Sequence, residues 1–284
     1  MSEFPEQHDK VAQHYHSILE FESVRLSEYF PVELAITTRY IQKYIPNCAI
    51  VADIGVGVGH YAELLARRGC LLYLVDITQQ LLDATLTRLR EKGLERQIQA
   101  INRASATNLE CFENEMFDAV LMLGPLYHLC TLEERNQAVN EAARILKQGG
   151  ILLAAGINRL TYLRELFRES PQLASARKEF HQQFLQDGNL DPEHAPPIGF
   201  AHVTTVAEFR QLFEDKFEEI AFLGVESFTG AFQKSLTELP QTEVEAWLDL
   251  VEQTATTPEG LGMTDHFLYI GRKRVELKFK KSVC

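Results

Sequence analysis

Residues 49–60 read AIVADIGVGVGH and give the strongest indication of the fold in this chain. Its first six residues form a short apolar run, which is typical of a buried strand, and residues 61–68 carry apolar side chains at helical spacing. Glycines between a strand and a helix let the chain turn sharply, and they let a ligand approach backbone N–H groups at the positive helix end. These residues therefore predict a strand, a glycine loop and a helix, with a ligand site at the turn.

The same alternation of strand and helix recurs along the chain. Further strands are predicted at residues 71–75, 98–101, 117–123, 151–155, 219–225 and 266–270. Near-continuous apolar strands separated by helices are typical of a parallel sheet that is covered on both faces. The sequence thus predicts an α/β fold with a doubly wound, mostly parallel seven-stranded sheet, N-terminal helices and a helical cap insertion.

We interpret the chain as a single domain of five parts. The alternation stops after residue 157, where residues 161–184 are predicted to be mostly helical and residues 186–200 form a loop rich in Pro, Gly and Asp. The helix after the fourth strand is predicted to begin at a capping box, residues 131–134, and to stop at Gly149-Gly150. The parts are N-terminal helices that contribute to the cap (1–47), a cofactor-binding core (48–157), a cap insertion (158–203), the C-terminal part of the core (204–273) and a basic tail (274–284).

Composition restricts the partners and the location of the protein. The 28 basic and 40 acidic residues give a formal net charge of −12, which repels polyanions, so nucleic acid is not expected as a partner. Five scattered cysteines without a C-x-x-C pair indicate reduced thiols and give no zinc site, so no metal is expected. The chain has neither a signal-peptide pattern nor a long apolar run, which predicts a cytoplasmic protein without membrane contact.

The glycine spacing distinguishes two classes of cofactor. A dinucleotide fingerprint G-x-G-x-x-G that began at Gly55 would need glycine at position 60, where this chain has His60. The pattern D-x-G-x-G-x-G, from Asp53 to Gly59, resembles the first motif of the class I S-adenosylmethionine-dependent methyltransferases. This resemblance implies S-adenosyl-L-methionine as the cofactor, bound at Asp53, Gly55, Gly57 and Gly59.

Two later segments extend the predicted cofactor site. Asp76 ends the second strand, where a carboxylate can accept hydrogen bonds from a ribose diol, and Ile77 follows it. The alternative is a carboxylate that only interacts with a helix N-terminus. The resembling family often has an acidic residue that binds the adenine amino group where this chain has Ser105. A hydroxyl can still accept that bond, and backbone groups of Ser105 and Ala106 are further candidates; the alternative is an ordinary polar turn.

Residues 121–129, LMLGPLYHL, leave the fourth strand and supply the predicted catalytic groups. In the resembling family a similar run lines the sulfonium end of the cofactor and the acceptor pocket, which implies cofactor contacts from Leu123 and Gly124. His128 is the leading general base, because an imidazole has an ordinary pKa of about 6.5, and Tyr127 is a further candidate. The alternative is that Tyr127 and His128 only pack at the strand end.

Two residues outside the core are also candidates. Tyr15 lies in the N-terminal helical region, which in the resembling family often folds over the cofactor, so its ring is predicted to cover the sulfonium. The alternative is a surface helix. His202 follows the Pro-rich loop and is the alternate base, although a single loop histidine is more often solvated or packed.

These observations predict a methyltransferase that moves a methyl group to an oxygen, nitrogen or carbon nucleophile of a small molecule. Two alternatives stay open. One is a NAD-dependent oxidoreductase, which the strand, the glycine loop and Asp76 would also suit. The other is a regulatory protein that binds S-adenosylmethionine without turnover. The sequence predicts neither the acceptor nor the oligomeric state.

Overall fold

The computed structural model describes residues 6–275, except the side chains of residues 6, 7, 231 and 234, and it contains a seven-stranded sheet. The strands are β1 (Ile50–Ile54), β2 (Leu71–Asp76), β3 (Ile98–Arg103), β4 (Phe117–Met122), β5 (Leu146–Ile157), β6 (Asn189–Leu190), β7 (Ala201–His202), β8 (Phe217–Gly224) and β9 (His266–Lys273). The sheet order is β3-β2-β1-β4-β5-β9-β8, and β6 pairs with β7 apart from it. Strands β1 to β5 are parallel, whereas β9 runs antiparallel to β5 and β8. The predicted fold class is confirmed.

Helices cover both faces of this sheet. They are α1 (Glu6–Ser17), α2 (Leu19–Val24), α3 (Pro31–Tyr44), α4 (His60–Arg67), α5 (Gln79–Glu91), α6 (Leu132–Ile145), α7 (Arg159–Glu169), α8 (Leu173–Ala176), α9 (Lys178–Asp187), α10 (Val206–Gln211), α11 (Gln241–Thr254) and α12 (Pro258–Met263). One buried apolar cluster joins the sheet to α3, α4, α5 and α11, and a second joins its other face to α6 and α10. A π-helical turn (Arg25–Tyr29) precedes α3, and 3₁₀ turns include Pro125–His128.

The observed start and end of α6 can be compared with the predicted capping box and the predicted stop. The capping box is present, since Glu134 N donates to Thr131 Oγ1 at 3.2 Å and Thr131 N donates to Glu134 Oε2 at 3.2 Å. The predicted stop at Gly149-Gly150 is wrong, because α6 ends at Ile145 and β5 begins at once. Gly149 has a φ of +74°, and a Cβ on Gly150 would lie 3.0 Å from the Lys147 carbonyl oxygen. The two glycines therefore allow an irregular start of β5.

The carboxyl ends of the parallel strands locate the crevice of the fold. The strand order reverses beside β1, which lies between β2 and β4. In open α/β sheets ligands bind outside the carboxyl ends at such a switch point. The glycine loop after β1, the end of β2 and the 3₁₀ turn after β4 all meet at this edge.

Residues 158–203 form α7 to α9 and the β6-β7 hairpin, which share a small apolar core of their own. This core includes Phe184 and Val203 and packs against Tyr127 in the 3₁₀ turn after β4. Within residues 6–275 no helix is long and apolar enough to cross a membrane. Most of the predicted basic tail, residues 276–284 with Cys284, lies outside the described residues.

Candidate functional site

A deep pocket of about 1120 Å³, including its open mouth, occupies the crevice. It brings together thirteen of the fourteen residues that the sequence predicted for the site. They are Tyr15, Asp53, Gly55, Gly57, Gly59, Asp76, Ile77, Ser105, Ala106, Leu123, Gly124, Tyr127 and His128. The N-terminal helices add further lining residues, namely His8, Val11, Glu22, Arg25, Leu26 and Glu33.

The glycine loop leaves room for a ligand at one position. Gly55, Gly57 and Gly59 all have positive φ values, of 75°, 59° and 81°. Residues other than glycine rarely adopt such values. A Cβ on Gly55 would clash with Pro125 at 2.6 Å, so glycine at this position allows Pro125 to pack closely against the loop. A Cβ on Gly57 would meet no atom within 4 Å, so its backbone borders open pocket. The loop can therefore cradle a polar group at Gly57.

Two buried carboxyl groups border this cradle. Asp76 accepts hydrogen bonds from Gly57 N at 3.1 Å and Thr78 N at 2.8 Å. A carboxylate offers about four lone-pair sites, so acceptor capacity is left for a diol. Burial raises the pKa of Asp76 to about 6. Burial, with the nearby charge of Asp76, raises the pKa of Asp53 to about 7. A ligand that donates hydrogen bonds or carries positive charge would therefore stabilise the ionised form of both carboxyl groups.

Ser105 is present in the pocket, but its hydroxyl is engaged by its own turn. Ser105 Oγ lies 2.9 Å from Thr107 Oγ1, and Thr107 N donates to Ser105 Oγ at 3.3 Å. The neighbouring Ala106 is also buried in the pocket wall. The side chain of Ser105 is therefore less available to a ligand than a free hydroxyl.

Tyr15 and His128 form a hydrogen-bonded pair at the pocket wall. Tyr15 Oη lies 2.7 Å from His128 Nε2, and His128 Nδ1 lies 2.9 Å from the carbonyl oxygen of Phe200. A carbonyl only accepts, so Nδ1 carries the hydrogen and Nε2 accepts from the tyrosine hydroxyl. Burial lowers the pKa of His128 to about 4, and burial raises the pKa of Tyr15 well above its ordinary value. The pair consists of a neutral imidazole and a neutral phenol.

Three charged side chains in the pocket were missed by sequence reasoning. Arg25 lies 3.4 Å from Glu22 and 3.2 Å from Glu33, and all three are largely buried. Burial raises the pKa of Glu22. The spacing of Glu22 and Arg25 is that of an ordinary i,i+3 pair on an exposed helix, so the sequence carries no sign that these residues face a pocket.

The sequence also placed His202 at the site, and the structure places it elsewhere. His202 lies on β7 with Nδ1 3.1 Å from Asn189 Oδ1, and it borders a separate surface groove with Arg135. Its assignment as an alternate base finds no support in this geometry.

The cap insertion likewise contributes no lining residue to the pocket in the described part of the chain. The Phe200 carbonyl nevertheless orients His128. His14 Nε2 also lies 3.2 Å from the Pro197 carbonyl oxygen, which joins α1 to the insertion. A role of the insertion in acceptor choice stays a prediction.

A charged cluster beside the pocket links β9 to α3. His266 Nδ1 donates to Glu226 Oε1 at 2.6 Å and lies 3.7 Å from Glu33 Oε2. Burial alone would lower the pKa of His266, but the charges of Glu33 and Glu226 outweigh it and raise the pKa to about 9. The three donor groups lie within 4.8 Å of one another, a spacing that could hold a metal ion. In this protein the protonated imidazole already supplies the positive charge.

This cluster predicts a loss of stability at alkaline pH. The folded pKa of about 9 exceeds the ordinary 6.5, so the stabilisation is complete below about pH 6.5 and disappears as pH rises through about 9. Its size is on the order of 3 kcal/mol, from about 1.4 kcal/mol per pKa unit. Urea unfolding of wild type from pH 6.5 to 9.5 should show this decline, and His266→Gln should lack it. An equal decline in both proteins would contradict the prediction.

Comparisons with known proteins agree with this geometry. The profile of a family described as "Methyltransferase domain" matches residues 52–154, which run from β1 into β5. A solved structure of an S-adenosylmethionine-dependent methyltransferase from Methanosarcina mazei is 22% identical, with a TM-score of 0.56 over 84% of this chain and 98% of that one. The [4+2]-cyclase SpnF is 18% identical, with a TM-score of 0.63 over 95% and 98%. These two likenesses show the fold alone.

The curated relatives described here match between 38% and 50% of this chain. The methyltransferase GfsG of Streptomyces halstedii is 32% identical over 38% of this chain and 37% of its own length. A ubiquinone biosynthesis O-methyltransferase of Xylella fastidiosa is 34% identical over 42% and 47%. A probable tRNA methyltransferase 9B of Homo sapiens is 28% identical over 50% and 28%. The chain therefore spans less than half the length of these curated relatives.

The tRNA-methylating relatives, which include a tRNA (carboxymethyluridine(34)-5-O)-methyltransferase of Arabidopsis thaliana, correct one prediction. The exclusion of nucleic acid as a partner is wrong. It rested on the net charge of −12, which is a sum over the whole chain and does not describe any one face.

The family match and the pocket also distinguish the predicted functions. The open cradle at Gly57 and the acceptor capacity of Asp76 suit the ribose and amino-acid groups of S-adenosylmethionine. A NAD-dependent oxidoreductase does not agree with the family of residues 52–154, and the same match favours an enzyme over a regulatory protein. Residues 52–154 match the family described as a methyltransferase domain, and the chain shares the fold of S-adenosylmethionine-dependent methyltransferases.

Proposed function

We propose that this protein transfers the methyl group of S-adenosylmethionine to an oxygen, nitrogen or carbon nucleophile of a small molecule that binds beneath the N-terminal helices. The observation that carries the proposal is the contact of Tyr15 Oη with His128 Nε2, at 2.7 Å, inside the pocket that contains the glycine loop. This contact places a proton acceptor, His128, in the same pocket as the loop that would hold the cofactor.

The residues of the pocket suit each end of the cofactor. Asp76 would accept from the ribose hydroxyls, and the open side of the loop at Gly57 would border the polar amino-acid part. Arg25 supplies a guanidinium for the carboxylate of that part, since a planar guanidinium matches carboxylate geometry. S-adenosylmethionine supplies an activated methyl group on a positive sulfur, so the protein contributes placement, water exclusion and proton removal.

Proton removal follows from the tautomer of His128. As the acceptor gives up its proton to Tyr15 Oη, the tyrosine proton passes to His128 Nε2. The hydrogen bond from His128 Nδ1 to the Phe200 carbonyl, at 2.9 Å, then stabilises the imidazolium and holds its ring in place. Tyr15 touches the acceptor in this scheme, and His128 holds the proton.

The position of the pocket favours a small acceptor, because the N-terminal helices lie over the crevice that contains the glycine loop. Side chains from α1 and the segment that follows it, including Val11 and Leu26, form one wall of it.

Methyl-labelled S-adenosylmethionine tests the proposal directly. The full chain is incubated with a panel of small phenols, alcohols, amines and activated carbon acids, and in parallel with total tRNA, and label transfer is measured. We expect labelled small-molecule products with one acceptor class. Label that enters tRNA and no small molecule would overturn the small-molecule assignment, and an absence of S-adenosylhomocysteine binding by calorimetry would overturn the methyltransferase activity itself.

A further inference from the structure

We propose that His8 recognises the adenine ring of the cofactor and takes the role of the acidic residue that this chain lacks at Ser105. The inference rests on the proposed use of S-adenosylmethionine. It assigns a specificity-determining residue to α1, outside the methyltransferase domain at residues 52–154.

One face of α1 crosses the pocket. His8, Val11 and Tyr15 follow the i, i+3, i+7 spacing of a single helix face, and all three line the pocket. Seven residues of helix span about 10 Å, so His8 lies about that far along the helix axis from Tyr15 and its partner His128. Helix α1 also contacts α5, whose first turn follows Asp76 and Ile77. His8 thus lies away from this pair, in a pocket that also contains Asp76, Ile77, Ser105 and Ala106, which we assign to the nucleoside.

His8 is a buried polar group without a hydrogen bond in the described part of the chain. The residue is 4% exposed, and neither ring nitrogen has a hydrogen-bond partner there. The nearest charged atom is Glu134 Oε1, 3.3 Å from Nε2, in a direction that does not meet hydrogen-bond geometry. Buried polar groups are normally bonded, and an unbonded one is unfavourable. A ligand that bonds to His8 would remove this penalty.

Adenine has a hydrogen-bond donor that could bond to His8. The exocyclic 6-amino group of adenine donates hydrogen bonds, so it needs an acceptor in the pocket. Ser105 Oγ is already engaged with Thr107. The negative charge of Glu134, 3.3 Å from Nε2, favours a hydrogen on that nitrogen even without a hydrogen bond, and this leaves the Nδ1 lone pair as an acceptor for the 6-amino group.

The test compares two cofactor products that differ in the 6-substituent of the base and in the adjacent N1, which accepts a hydrogen bond in adenine and donates one in hypoxanthine. Calorimetry measures the affinity of the full chain for S-adenosylhomocysteine and for S-inosylhomocysteine, which has a carbonyl oxygen in place of the 6-amino group. Wild type should bind the adenine form at least tenfold more tightly. His8→Phe, which keeps a ring but has no nitrogen, should lower the affinity for the adenine form about tenfold and leave the inosine form unchanged.

Control variants separate recognition from folding. His16→Phe makes the same chemical change on the exposed side of α1 and should alter neither affinity. His8→Asn keeps an acceptor and should retain part of the preference, and Ser105→Asp should restore the preference in the His8→Phe background. Equal loss of both ligands in His8→Phe, or an unchanged preference, would overturn the inference. If wild type binds neither ligand, the proposed function itself fails.

Discussion

Replacement of His128 by alanine should lower the turnover number by about 10²- to 10⁴-fold, the usual contribution of a general base. Affinity for S-adenosylhomocysteine should stay near that of wild type, because His128 bonds to Tyr15 and to the Phe200 carbonyl. Tyr15→Phe should lower turnover as well, since it removes the hydroxyl through which the proton passes. Single-turnover kinetics with labelled cofactor measure the chemical step.

A matched control for this prediction is His202→Ala. His202 is also buried with a pKa lowered to about 4 by burial, but it borders a separate groove. Its removal should leave the rate of methyl transfer within about twofold, since it has no part in general-base catalysis here. Equal effects of the two substitutions would mean that loss of folding, and not loss of a base, explains the His128 variant.

The pH profile gives an independent check on His128. Burial lowers its pKa to about 4, so the imidazole is neutral and able to accept a proton at every pH above about 5. The rate should be independent of this group from pH 6 to 9 and should fall only on acidification toward pH 4. A histidine with its ordinary pKa would instead give a rise centred near pH 6.5, and such a rise would contradict the burial described here.

Gly57→Ala should weaken cofactor binding on the order of 10- to 100-fold. The added methyl group meets no protein atom within 4 Å and extends into the open cradle, where it would collide with a bound cofactor, and each loss of about 1.4 kcal/mol in binding free energy lowers the affinity tenfold. The positive φ of 59° adds strain of roughly 1–2 kcal/mol to the folded state. Calorimetry with S-adenosylhomocysteine and urea unfolding measure the two effects separately.

Gly149→Ala is the matched control. Gly149 has a φ of +74°, and a Cβ there also meets no atom within 4 Å, but it lies at the start of β5, far along the sheet from the glycine loop. It should show the loss of stability without the loss of cofactor affinity. Equal cofactor affinity in the two variants would mean that Gly57 does not border the cofactor.

The core of the site could be predicted because its residues follow parallel strands. Asp53, Asp76 and Leu123 lie in or just after strands that apolar runs make visible, and the carboxyl ends of such strands must meet at one edge. In this part of the chain the local sequence pattern is therefore enough to predict which residues meet at the site.

The rest of the pocket depends on how separate segments dock, which no local pattern encodes. His8, Arg25 and Glu33 lie on helices whose polar residues suit an exposed face equally well, and only packing over the crevice buries them. Gly149-Gly150 resembled a helix stop, but the helix ended earlier because β5 begins at Leu146. His202 is near the predicted loop boundary in sequence and still points away from the pocket.

The position of strand β9 in the sheet affects how the protein can fold while it is being synthesised. It lies between β5 and β8, and Ile157 at the end of β5 pairs with His266 at the start of β9. Pairing between distant segments is slow, because a long loop must close first. On the ribosome, β1 to β5 emerge long before β9, so β5 stays an unprotected sheet edge until residues 266–273 have been synthesised. The cofactor-binding core is thus synthesised long before the strand that completes its sheet.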